Sequence, residues 1–222
     1  MQSLLQLFEF SYPDGHLFLD RGGLLCRRLR DRFPHLAVKS VERIQVDMQT
    51  PDRGTELYFG IRTAAIQQVG SEGDDFGVGA AEFARILADT LELSAVESFR
   101  YQQIIGKPCA SIEAALALMR PLIAKETQDR LGQRAAEAEW RSVQAEFRLH
   151  NLLFLDRIAV LELAPHTSPS SPPIPHVTVQ FDVKGLVPVP FSELDIEALV
   201  GNMGRKHRDD VIARIAPHLS EL

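Results

Sequence analysis

The sequence predicts an α+β protein in which two antiparallel sheets, or one continuous sheet made of two similar halves, are covered on one face by helices. Three observations carry this expectation. Val143, Ala145, Phe147 and Leu149 alternate with Ser142, Gln144, Glu146 and Arg148, and Val177, Val179, Phe181 and Val183 alternate with Thr178, Gln180, Asp182 and Lys184. Successive side chains of a strand point to opposite faces, so each stretch reads as a strand with one apolar and one wet side. Other short apolar runs are punctuated by turn signals such as Pro13-Asp14-Gly15 and Pro51-Asp52-Arg53-Gly54, where Pro presets φ and Gly accepts a positive one. Between the runs lie stretches of helical period, for example Leu24, Leu25, Leu29 and Phe33.

In chain order, residues 4–12 read as the first strand and a helix begins near Arg21, ending at Pro34, which cannot continue it. Residues 38–48, 55–61 and 64–69 follow as three sequential strands of one meander. Gly70, Gly73, Gly77 and Gly79 punctuate an acidic loop carrying Glu72, Asp74 and Asp75, and residues 80–93 have the periodicity of an amphipathic helix. The loop has no Lys or Arg and lacks both phosphate-loop and dinucleotide spacings, so it reads as a connector rather than an anion cradle.

Strand chemistry resumes over residues 95–105, Pro108 breaks it, and Ser111 caps a helix running to about residue 130. Residues 140–150, 153–163 and 176–184 are three further strands, the second of them apolar on both faces and read as an edge that something must cover. Ser192 opens a closing helix with Leu194, Ile196, Leu199 and Val200 on its apolar side. The strand-helix-three strands-helix series thus occurs twice, which predicts two similar β-α-β-β-β-α halves, residues 1–94 and 95–222, arising by internal duplication. Residues 165–175, rich in Pro and Ser, are expected to form a connector within the second half.

Of 222 residues, 45% are hydrophobic and 24% charged, with a net charge of -6. That composition is globular, and the acidic balance gives no general attraction to nucleic acid or anionic lipid. Cys26 and Cys109 are too few for a disulfide framework or a four-cysteine zinc site. No window approaches the roughly 20 apolar residues that cross a bilayer, and residues 1–12 show neither a basic leader nor a small-residue cleavage site. The expected location is cytoplasmic and off the membrane.

No nucleophile elbow, zinc-protease motif or paired histidine spacing is present, so no catalytic residue, metal ligand or cofactor is assigned. The candidate binding groups are those on the wet faces of the later strands, Glu146, Arg148, Gln180 and Asp182, with His150 and His176 at strand ends where antiparallel neighbours would bring them together. A metal-assisted hydrolase built on His150, His176, Glu146 and Asp182 is one alternative. Another uses the basic cluster Arg27, Arg28, Arg30 and Arg32 on the first helix, or the later run Arg205-Lys206-His207-Arg208, to track phosphates. The acidic neighbours Asp20, Asp31, Asp209 and Asp210 argue instead for local ion pairing.

The segment Val96-Glu97-Ser98-Phe99-Arg100-Tyr101-Gln102-Gln103-Ile104-Ile105 resembles the central strand of a sporadically distributed bacterial protein family of unknown function. Arg32-Phe33-Pro34, the late strand Val179-Gln180-Phe181-Asp182-Val183 and the closing helix are similar to that family as well, although Gln102 and Gln103 stand where it has an asparagine. The resemblance adds Arg100 and Tyr101 to the candidate binding groups. It implies no activity, and the family's scattered occurrence suits an accessory component of bacterial defence or of a mobile element. The leading expectation is therefore a non-catalytic protein-binding or adaptor protein that engages another protein or itself. Nucleic-acid binding and metal-assisted hydrolysis stand as the alternatives.

Overall fold

A computed structural model describes residues 2–13, 15–70, 75–119, 142–164, 171–185, 188–203, 206, 209, 210 and 213. The acidic loop at 71–74, the helix continuation at 120–130, the connector at 165–170, Arg205, His207, Arg208 and most of the closing helix past 203 lie outside the described residues.

The fold is α+β. One nine-stranded antiparallel sheet runs in the order β2-β3-β4-β5-β1-β7-β10-β9-β8. Its strands are β1 (Gln2–Ser11), β2 (Ala37–Val41), β3 (Gln45–Gln49), β4 (Thr55–Gly60), β5 (Thr63–Val69), β7 (Ser98–Pro108), β8 (Ser142–Leu149), β9 (Leu152–Leu163) and β10 (Ile174–Gly185). The halves meet at β1 and β7, which pair over almost their full length from Gln2↔Gly106 to Ser11↔Ser98. On either side of this joint β5 pairs with β1 and β10 with β7. A separate two-stranded pair joins β6 (Ala95–Val96) to β11 (Val189–Pro190).

The described helices lie on one face. α1 (Phe18–Arg32) and α2 (Phe76–Leu91) cover the first half, with Leu25, Leu29, Phe83 and Leu87 fully buried against Phe8, Phe10, Leu57 and Phe59. Phe10 meets Phe83 edge-on at 6.2 Å, a geometry that aromatic quadrupoles favour. α3 (Ile112–Met119) packs Ala115, Leu118 and Met119 onto Val177 of β10, with Ile158 and Val160 of β9 alongside. Ser111 caps it as expected, its Oγ accepting from the Ala114 N–H at 3.2 Å.

Three expectations need correction. Residues 38–48 are two strands, β2 and β3, so the first half places four strands after its helix rather than three. Their apolar residues keep no common parity, since Val41 breaks the even series of Val38, Ile44, Val46 and Met48. A change of parity marks a turn, and Glu42 N donates to Gln45 O there at 2.8 Å. Second, β9 is not an edge: β8 pairs along it from Ser142↔Ala159 to Leu149↔Leu152, and α3 supplies cover on one side. Third, the apolar side of β8 is not buried at Ala145 or Leu149, the latter 54% exposed.

Candidate functional site

Register alone assigns every strand position to a face, because partners in adjacent strands share a side. Phe8, Phe10, Ile66, Tyr101, Phe154 and Val183 belong to the helix-covered face. The opposite face carries no helix among the described residues. One row crosses it from edge to edge: Ser40, Asp47, Tyr58, Ala65, Glu9, Arg100, Lys184, Leu153 and Arg148. The next row runs Gln49, Glu56, Gln67, Leu7, Gln102, Asp182, Leu155 and Glu146.

The centre of this open face is an ion-pair cluster at the joint of the two halves. Arg100 donates from Nε to both Asp182 oxygens, at 3.0 and 2.9 Å, and from Nη2 to Oδ2 at 2.5 Å. Register places Lys184 directly opposite Arg100, with Asp182 at the diagonal position. Asp182 is only 3% exposed, so its charge depends on this fork. On the other side, Glu9 accepts from Tyr58 Oη at 2.8 Å. Hydrogen bonding to Asp182 raises the Arg100 pKa, with the Glu9 charge adding to it. Burial first, then the bond to Glu9 and its charge, push the Tyr58 phenol up.

Most of the expected groups reach this face, but not all as expected. Arg100, Asp182, Gln180, Glu146, Arg148 and His176 share it. Tyr101 does not: it is fully buried on the helix side, 6.3 Å from the Phe181 ring. Consecutive residues of a strand must diverge, so the Arg-Tyr pair is split between a surface and a core. His150 and His176 are not together either. His150 sits in the β8–β9 turn with φ 52°, whereas His176 pairs with Leu161 at the far end of β9. The separation along the strands is about 30 Å at about 3.4 Å per residue. Glu146 and Asp182 flank Leu155, about 10 Å apart across two strand spacings. The four residues of the metal-hydrolase arrangement are therefore not gathered at one place, and among the described residues no group of three His, Cys, Asp or Glu is placed to hold a metal ion.

No protein-family model matches the chain, and no curated protein matches it.

Glu9, Tyr58 and Lys184 are site residues that the sequence reading missed. Glu9 left a signal, as the polar member of the series Leu5, Leu7, Glu9 on the side of β1 away from Phe8 and Phe10. The arginines of α1 are partly committed elsewhere. Arg28 Nη1 donates to Thr90 Oγ1 at 3.1 Å, Arg32 approaches Glu82 at 3.7 Å, and Arg21 pairs with Glu92 at 2.6 Å. These contacts tie α1 to α2 and its C-terminal cap. No described helix is long and apolar enough to cross a membrane.

Proposed function

We propose that this chain is a non-catalytic docking protein whose working surface is the open face of the nine-stranded sheet, and that its partner is another protein. The carrying observation is the one-sided cover, with the described helices on one face and a continuous two-row pattern of charged and apolar side chains on the other. Nine strands at about 4.8 Å spacing and roughly eight residues long present about 1,000 Å². A standard protein interface takes about 800 Å² from each partner, so the face is large enough to serve alone.

Its chemistry favours a protein over a nucleic acid. Lys39, Arg100, Arg148, Arg157 and Lys184 are matched by Glu9, Asp47, Glu56, Glu146 and Asp182 on the same face. Phosphate tracking calls for a surplus of cations, which neither this face nor the net charge of -6 supplies. Leu7, Leu153 and Leu155 lie among the charges, the mixture that a protein interface uses.

The test is capture from the native host with quantitative mass spectrometry, using the intact chain, a face variant carrying Lys184→Glu and Gln67→Arg, and a helix-side variant carrying Arg27→Glu and Arg30→Glu. A partner retained by the parent and the helix-side variant, lost by the face variant, and bound again as a purified protein is the expected result. Capture that the face variant leaves unchanged contradicts the reading, and salt-sensitive nucleic acid lost by the helix-side variant would replace it with the α1 alternative.

A further inference from the structure

At one end of the open face the polar rows give way to an apolar cavity of about 580 Å³, lined by Leu4, Leu5, Ile104, Leu161, Leu163 and His176 among others. The ends of five strands from both halves meet there. Its origin is local. A register shift between Ser3 and Leu5 lets Leu4 and Leu5 both lie toward this side of β1, and Gly106 gives them room: a Cβ at that position would stand 2.4 Å from Leu4 Cδ1 and 3.6 Å from His176 Cδ2. Among the described residues, none that lines it is an Asp, Glu, Lys or Arg.

His176 is 7% exposed, and its Nδ1 stands 2.8 Å from Ile174 O. A carbonyl oxygen only accepts, so Nδ1 carries the proton, and the tautomer with its one proton there has Nε2 as an acceptor. Nε2 has no hydrogen-bond partner among the described residues. An accessible acceptor on the wall of an otherwise oily cavity is the arrangement by which a small-molecule site orients its ligand, and the volume falls within the usual range of about 300 to 1,000 Å³ for such sites.

We infer that this cavity binds an uncharged amphipathic small molecule, an aliphatic or aromatic body bearing one hydroxyl or N–H group that donates to His176 Nε2. A carboxylate or phosphate is disfavoured, since no cation among the described residues lines the cavity to meet it. The inference does not rest on the docking reading, because the cavity and its acceptor belong to the free chain.

The experiment titrates the intact chain with N-phenyl-1-naphthylamine, a neutral fluorophore with one N–H, and displaces it with 1-octanol or with methyl octyl ether, which lacks the donor. Saturable one-to-one binding is expected, with the alcohol displacing the probe about fivefold more effectively than the ether, the scale of one neutral hydrogen bond. Ile174→Trp, at a position 41% exposed, and Leu161→Trp fill the space and are expected to weaken probe binding at least tenfold. His176→Phe is expected to weaken probe binding by no more than about fivefold and to lose the alcohol preference. Circular dichroism establishes that each variant is folded, and the exposed Ile174 position keeps the test valid if Leu161→Trp is not. Absence of saturable binding by the parent chain, equal displacement by alcohol and ether, or unchanged binding in the folded Ile174→Trp variant overturns the inference.

Discussion

Asp182 lies on the sheet face that carries no helix among the described residues yet is almost fully buried, and the Arg100 guanidinium pairs with it there. Removing one member of such a pair leaves the other desolvated without compensation, which costs about 3 to 5 kcal/mol where both are buried. Arg100 retains a third of its side-chain exposure, so the screened expectation for Arg100→Met is about 2 kcal/mol, read as a lower urea midpoint at unchanged slope. Adding Asp182→Leu to that variant is expected to recover most of the loss, because no orphaned carboxylate then remains. The cluster also sets an alkaline limit. Tyr58 and Tyr12 are both pushed above the usual phenol value of 10.0, mainly by burial. For a group whose folded pKa is raised, the stabilisation is complete below the unfolded value and is lost as pH climbs past it. Stability is therefore expected to fall from about pH 10 upward, and Tyr58→Phe to flatten that fall when midpoints are compared between pH 8 and pH 11. Asp182 could be picked out beforehand as a charged residue on the polar side of an alternating strand, and Arg100 only through the resemblance of its segment to a known family. Their contact could not, since it depends on the β7–β10 register between residues 82 apart in the chain.

The strands differed in how much of them could be read. Strict period-2 alternation located β8 and β10 to within two residues at each end, because nothing but a pleated strand requires it. The same rule carried less for β8's environment: alternation assigns faces, and Leu149 remains 54% exposed at a sheet edge where α3 reaches only β9 and β10. The β2–β3 hairpin was hidden because its turn, Glu42-Arg43-Ile44, has neither Gly nor Pro to announce it. Gly60 supplies what that hairpin needs instead. A Cβ there would stand 2.3 Å from the Ile44 carbonyl oxygen, a backbone atom that cannot swing aside. Gly60→Ala is expected to cost about 1 to 3 kcal/mol by urea denaturation. Gly54→Ala, whose nearest neighbour is the Asp52 side chain at 3.3 Å, is expected to cost less than Gly60→Ala.

For the whole molecule, the decisive feature is that one sheet passes through both halves and that the described helices cover it from one side. Composition and alternation pointed to helices on one face but left open whether there were two sheets or one. The β1–β7 pairing that joins them is an alignment of strands about a hundred residues apart, and periodicity within a strand says nothing about its neighbour. Both halves build outward from that joint in the same sense, β1-β5-β4-β3-β2 on one side and β7-β10-β9-β8 on the other, with one strand fewer in the second. Each outermost strand carries charge or polar side chains, Lys39 on β2 and Glu146 and Arg148 on β8, which discourages edge-to-edge pairing. The joint also builds the centre of the open face, since Glu9 and Arg100 come from different halves and stand opposite one another in the row.

Single-cysteine labelling tests this one-sided sheet most directly. With Cys26 and Cys109 replaced by Ser, a cysteine is introduced at Asp47, Gln67 or Lys184 on the open face, or at the adjacent positions Met48, Ile66 or Val183 on the covered face. Maleimide is expected to modify the first three at least a hundredfold faster than the second three under native conditions, on strands from both halves alike. Comparable rates for neighbours such as Gln67→Cys and Ile66→Cys, or open-face positions protected in one half only, would contradict a single sheet covered from one side.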